Sequence, residues 1–253
     1  MPAFNLKIVT VTNQKGGVAK TTTANSLIAG LNKIGKKTLG IDLDPQCNLS
    51  YTLRADESKP SIKNVFKGEI SITEAIQQTD IGDFIQSNKS LNNVIQELNA
   101  IDQVYKLSKV LKEVKDKYDY IVIDTPPALS PLTINALVAS NSVIIPVQAD
   151  SFSMQGAEAL AETIKGIKDV NENLKIDGIL IVRYKGRAGL AQHMNDKFED
   201  FAKMFDTKVF ETKIRDAIAV QESQLARKNL FDYDPNANVS IDYANFVKEF
   251  ING

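Results

Sequence analysis

Residues 13–22 read Asn-Gln-Lys-Gly-Gly-Val-Ala-Lys-Thr-Thr and directly follow the apolar run Leu6-Lys7-Ile8-Val9-Thr10-Val11. A strand that breaks into glycines and then Lys-Thr has one well-understood use. The backbone N–H groups of the loop wrap a β-phosphate, the lysine reaches the β- and γ-phosphates, and the hydroxyl holds Mg²⁺. Gly16, Gly17, Val18, Ala19, Lys20, Thr21 and Thr22 fill those positions. The general pattern G-x-x-x-x-G-K-[ST] would put glycines at 14 and 19, where this chain has Gln14 and Ala19. Ala19 is tolerable where the loop enters its helix if its φ stays below zero. Lys15 has no task in a one-subunit loop and points to a nucleotide shared between two subunits.

The rest of the chain is consistent with one large domain over residues 1–253. Hydrophobic residues make up 43%, enough for a sizeable core, and 30 basic against 31 acidic residues leave a net charge of −1. Contact with nucleic acid must therefore come from a local patch rather than a bulk field. One cysteine excludes a disulfide framework and fits a reducing cytoplasm. No apolar stretch approaches the ~20 residues that span a bilayer. The first strand starts so soon that neither a signal peptide nor an amino-terminal helix-turn-helix domain is expected.

Short β-branched runs alternate with helical periodicity, which predicts an α/β fold, a doubly wound and mainly parallel sheet with helices on both faces. Strands are predicted at Leu6–Val11, Lys37–Ile41, Tyr120–Asp124, Ser142–Val147 and Asp177–Val182, with weaker signals at Phe84–Ile85 and Lys208–Phe210. Helices are predicted at Thr22–Ile34, Ile101–Lys117, Met154–Val170, Leu190–Phe205 and Ile241–Ile251. Arg54 to Lys63 reads as a surface connection. Such sheets bind ligands at the carboxyl ends of their strands. The glycine loop, Asp42, Asp44 and Asp124 all fall on that edge.

Further motifs occur in order. Gly40-Ile41-Asp42-Leu43-Asp44-Pro45-Gln46-Cys47-Asn48 follows the second strand, and Tyr120-Ile121-Val122-Ile123-Asp124-Thr125-Pro126-Pro127 is an apolar strand ending in a carboxylate. Val143-Ile144-Ile145-Pro146-Val147-Gln148, Ile214-Arg215-Asp216-Ala217-Ile218-Ala219-Val220-Gln221-Glu222-Ser223 and Asp242-Tyr243 come later. Together with the two-lysine loop, these resemble the deviant Walker A P-loop NTPases of the ParA/MinD superfamily, and most closely the ParA-type DNA-partitioning ATPases, from residue 6 to about 250. Ala19 and Cys47 depart from that pattern, where glycine is usual.

The resemblance implies an ATPase that uses ATP and Mg²⁺. Lys15, Lys20 and Asp44 would be its catalytic residues, with Asp44 orienting the attacking water. Asp124 and Thr21 would hold the metal, with Asp42 near it, and Arg183 would lie on the adenine side. It further implies a homodimer formed on ATP binding, non-specific duplex DNA as ligand, a ParB-like centromere-binding partner and a nucleoid-associated cytoplasmic protein. Lys185, Arg187, Lys213 and Arg215 would form the DNA patch, since neutralising phosphates takes several cations together. Some members carry an arginine where this chain has Ala219.

Other branches fit less well. A cluster-bridged iron-protein dimer needs several cysteines, and only Cys47 is present. A membrane-tethering tail needs basic and apolar faces; residues 240–253 hold one lysine and two acids and read as a helix packed on the domain, so no stable membrane association is expected. Cys47 reads as a tolerated small residue and His193 as a helix residue without a ligand role. A nucleotide-gated adaptor that positions a protein or membrane cargo with little hydrolysis is the alternative function.

Overall fold

The computed structural model describes residues 6–148, 154–185 and 191–253. Seven strands form one sheet: β1 (Lys7–Val11), β2 (Thr38–Asp42), β3 (Gln77–Thr79), β4 (Gly82–Ile85), β5 (Tyr120–Asp124), β6 (Ser142–Gln148) and β7 (Lys175–Val182). Their order is β3-β4-β2-β5-β1-β6-β7. All pairings are parallel except the β3–β4 hairpin at one edge. The predicted strand at 208–210 is a single bridge, Ile179 to Val209, because the chain touches the free edge of β7 and turns away.

The helices are α1 (Lys20–Lys33), α2 (Asn48–Thr52), α3 (Ile62–Lys67), α4 (Leu91–Glu97), α5 (Asp102–Leu111), α6 (Pro131–Ala139), α7 (Met154–Lys168), α8 (Ala191–Met204), α9 (Ile218–Leu225), α10 (Leu230–Tyr233) and α11 (Asn238–Asn252). His193 falls on α8, with its side chain outside the described residues. The predicted helix at 101–117 ends at Leu111, and turns carry Lys112 to Lys117.

Alternating strand residues send their side chains to opposite faces. Val9, Val11, Val122, Ile144 and Leu180 meet α1, α10 and α11 on one face. Leu39, Ile41, Ile121 and Ile123 meet α3 to α6 on the other, and Val143, Ile145, Ile179 and Ile181 continue that layer under α7 and α8. The carboxy-terminal helix does pack back on the domain: Tyr243 and Phe246 are fully buried, and Phe210 meets Phe246 edge-on at 5.0 Å. A Cβ on Gly30 would lie 2.7 Å from Val247, so this glycine sets how closely α1 and α11 approach. Among the described residues no helix is long and apolar enough to cross a membrane.

Candidate functional site

The register of the central strands brings the site together. Val11 on β1 and Asp42 on β2 both lie level with Asp124 on β5, so the glycine loop and two carboxylates leave the sheet side by side. The Thr12 N–H donates to the Ile144 carbonyl at 3.1 Å. The Asn13 side chain then clamps the loop: its Nδ2 donates to the Pro146 carbonyl at 2.8 Å, and its Oδ1 accepts the Lys15 N–H at 2.9 Å. Inside the loop, Lys20 Nζ donates to the Lys15 carbonyl at 3.0 Å. Burial lowers the Lys20 pKa, against the opposing pull of Asp124 and Asp44.

A cavity of about 720 Å³ opens over this loop. Gly16, Gly17, Ala19, Lys20, Thr21 and Thr22 form its floor, Asp44 one side, and Arg183, Arg215 and Tyr243 another. That is room for a nucleotide-sized ligand. The Val18 side chain is buried at 1% exposure and is absent from these walls, so only its backbone can serve a ligand. Lys15 also stands outside the walls. Helix α9, which carries the end of the motif from Ile214 to Ser223, places Val220, Gln221, Gln224 and Leu225 along the far side, with Gln224 donating to the Thr22 hydroxyl at 3.2 Å. That helix lies some 200 residues from the loop it meets, so its motif is visible in the sequence but its place at the cavity is not.

Ala19 departs from the condition set for it, with φ at 55° in the left-handed region. The turn into α1 must be left-handed there for the following amides to face the cavity, and an L side chain resists it by roughly 1–2 kcal/mol. Cys47, the other non-glycine at a glycine position, has φ 57°. Glycine relieves this strain but frees the unfolded chain, at roughly 0.5–1 kcal/mol. Ala19→Gly and Cys47→Gly are each expected to raise the melting temperature, by about 1–3 °C. An unchanged or lowered value in calorimetry would contradict the strain. Burial pushes the Cys47 thiol up to about 11, which makes it inert as a nucleophile.

The three carboxylates behave differently. Asp42 is fully buried, and its oxygens are committed within the switch segment. Oδ1 accepts the Asp44 N–H at 2.9 Å, while Oδ2 accepts the Ser50 N–H at 2.9 Å and its hydroxyl at 2.7 Å. Desolvation raises its pKa to about 6. Asp44, at 6% exposure, lines the cavity and accepts the Gln46 N–H. Asp124 is also fully buried, yet neither oxygen accepts a hydrogen bond of good geometry, although the Thr21 hydroxyl nearby partly offsets the rise in its pKa. Its pKa is driven well above the usual range by burial first and by Asp42 next. Two buried, unpaired oxygens beside a threonine hydroxyl suit a hard cation such as Mg²⁺. No group of three or more His, Cys, Asp or Glu that could hold a metal occurs among the described residues, so such an ion would draw most of its ligands from phosphate and water.

The remaining basic residues scatter into different roles. Arg183 Nε lies 3.4 Å from Asp216 and Lys185 Nζ lies 3.3 Å from the same carboxylate. Lys213 sits over the Tyr184 ring at 5.2 Å. Arg215 is held bidentately by Asp242, at 2.9 and 2.7 Å, and borders the cavity while its side chain stays 47% exposed. Arg187 lies outside the described residues.

A mostly parallel sheet whose first strand feeds a glycine-lysine-threonine loop, with carboxylates at the ends of β5 beside it and β2 beyond, defines a P-loop ATPase of the deviant Walker A class. An AAA domain family model (AAA_31) matches residues 6–176. The sporulation initiation inhibitor protein Soj of Bacillus subtilis is 34% identical over 249 residues, covering 96% of this chain and 97% of that protein. The chromosome-partitioning ATPase Soj of Treponema pallidum is 34% identical over 249 residues, covering 97% of each. Among solved structures, cobyrinic acid a,c-diamide synthase from Mycobacterium smegmatis with bound ADP and magnesium superposes with a TM-score of 0.81 at 29% identity, covering 96% of this chain and 93% of that one. The chain belongs to the ParA/Soj family of partitioning ATPases.

Proposed function

We propose that this ATPase is a nucleotide-driven partitioning switch. It binds ATP and Mg²⁺, pairs with a second copy, holds duplex DNA without sequence preference, and hydrolyses ATP when a ParB-like partner engages it. The observation that carries this reading is the division between the two loop lysines. Lys20 points into the loop, onto a backbone carbonyl in the region where phosphate oxygens would lie, whereas Lys15 stands outside the cavity walls. In the paired state Lys15 would reach the nucleotide of the facing subunit.

The loop amides of Gly16 to Thr21, with Lys20, take the phosphates; Arg183 and Arg215 border the side left for the base. Thr21 and Asp124 would hold Mg²⁺, which would supply positive charge against the phosphates. Asp42 stands behind them and shapes the segment that carries Asp44. Asp44 orients the water. For DNA, Lys185 is 71% exposed and its pair with Asp216 is a weak surface one, so it remains available to a phosphate. Lys213 and Arg187 complete the patch, and Arg215 contributes least because Asp242 already holds it.

One observation favours the adaptor instead. Asp216 and Asp242 partner three of the nearby cations, and Ala219 stands where some family members carry an arginine. Anisotropy on a fluorescent random-sequence duplex separates the two readings. Binding with ATP and not with ADP is expected of the switch; equal affinity in both states would defeat it, and none in either would favour the adaptor. Lys15→Ala is expected to retain ATP binding but lose the ATP-dependent dimer, with turnover falling about a hundredfold or more. A full ATP-induced dimer of that variant in light scattering would refute the trans role.

A further inference from the structure

A second cavity, of about 550 Å³, borders the switch segment and shares Gln46, Asn48 and Tyr51 with the nucleotide cavity. The segment therefore forms a wall between the two. The charged lining of the second cavity is Lys59, Lys89 and Arg227 against the single acid Glu57. Walls of one sign focus the field within a cleft and draw in a ligand of the other. Asp56 on the same loop is already engaged, its Oδ1 taking both the Ser58 N–H and hydroxyl.

The cavity is built rather than incidental. Gln86 Nε2 ties down the loop that carries Lys59, donating to the Asp56 and Lys59 carbonyls at 2.7 Å each. Arg227 is held by its Nε, which donates to the Tyr51 carbonyl at 2.8 Å, and by stacking at 4.5 Å on the Tyr51 ring. Its terminal nitrogens remain for another acceptor. Ser87 lines the cavity at 5% exposure, and its buried hydroxyl makes no hydrogen bond of good geometry, with only the Cys47 thiol, a weak partner, beside it. An unsatisfied buried hydroxyl is costly, and an anion's oxygen would satisfy it.

The same residue is wired to the catalytic segment. The Ser87 N–H donates to Ser50 Oγ at 3.0 Å, the Ser50 hydroxyl donates to Asp42 Oδ2 at 2.7 Å, and Asp42 Oδ1 accepts the Asp44 N–H at 2.9 Å. We propose that this cavity is a second ligand site, for a small phosphate-bearing anion, and that its occupancy is passed to Asp44 along these three hydrogen bonds. Three cations and a hydroxyl with only a thiol beside it exceed what one carboxylate would use, and the volume leaves room for a small organic body beyond the phosphate. The site itself is independent of the switch reading; the effect on Asp44 rests on it.

The test uses the full ¹⁵N-labelled chain saturated with AMP-PNP and Mg²⁺, so that the γ-phosphate position is already filled, and titrates in inorganic phosphate and then glycerol 3-phosphate. Saturable amide shifts are expected at Ser87, Ser50 and Asp44. Lys59→Glu with Lys89→Glu, two exposed loop changes, is expected to weaken both ligands about tenfold or more. Ser87→Ala should weaken them less while keeping the fold. No shift at Ser87 and Ser50 into tens of millimolar, or equal binding in the double variant, would overturn the site. Shifts at Ser87 that stop short of Asp44 would overturn the transmission. Should AMP-PNP fail to move the amides of Gly16 to Thr22, the ATPase-switch reading fails instead, so the two failures are distinguishable.

Discussion

Lys20→Ala is expected to lose nucleotide affinity by about a hundredfold or more, roughly 3 kcal/mol. The Nζ of Lys20 already sits within the loop, 3.0 Å from the Lys15 carbonyl, and the side chain is 7% exposed. Phosphate oxygens replace that carbonyl with a charged acceptor in a desolvated place, where charge-assisted bonds are strongest. Removing the amine takes away the one side-chain cation inside the loop and leaves the phosphate charges to the loop amides and the metal, near Asp44 and Asp124. Arginine at this position would not rescue, because a planar fork needs more room than the loop encloses. Calorimetric titration with ATP and Mg²⁺ checks this. Retained affinity would mean that the 720 Å³ cavity is not the nucleotide site.

Asp44→Ala is expected to bind ATP and dimerise, then stall, with turnover reduced by about a hundredfold or more. Of the three carboxylates, Asp44 alone lines the cavity. Its Oδ1 accepts the Gln46 N–H at 2.9 Å, which fixes the carboxylate at the cavity wall. Asp42 cannot substitute, since the Asp44 and Ser50 groups occupy both its oxygens. The expected phenotype is a long-lived ATP dimer that persists on DNA. Single-turnover hydrolysis at the wild-type rate, with or without a partner protein, would move the water-orienting role elsewhere.

How much was legible depended on how local the signal was. Strands such as Tyr120–Asp124 were plain because β-branched runs end in a carboxylate, and α1 was plain because the glycine loop announces its start. Helix α6 was not: it lies buried between two core clusters, so it has no polar face and no helical period. Hairpin strand β3 reads Gln-Gln-Thr and carries no apolar alternation to find. Helices α2 and α10 are too short to show a period.

The site divides in the same way. The identity of the phosphate loop, the acids at the strand ends and the family were settled by contiguous residues, because each motif performs its chemistry through neighbours in sequence. The strand register decided the rest. It set Asp124 level with Val11 and Asp42, leaving Asp124 unpaired while Ser50 absorbed Asp42. It also let Asp242, 27 residues downstream, capture Arg215, a residue that otherwise reads as part of an exposed basic patch. The left-handed turn at Ala19 was equally hidden, since backbone φ there follows from where the amides must point and not from the side chain. Motif chemistry is local and survives in sequence; charge pairing and backbone strain depend on what folding brings near, and only the tertiary structure decides them.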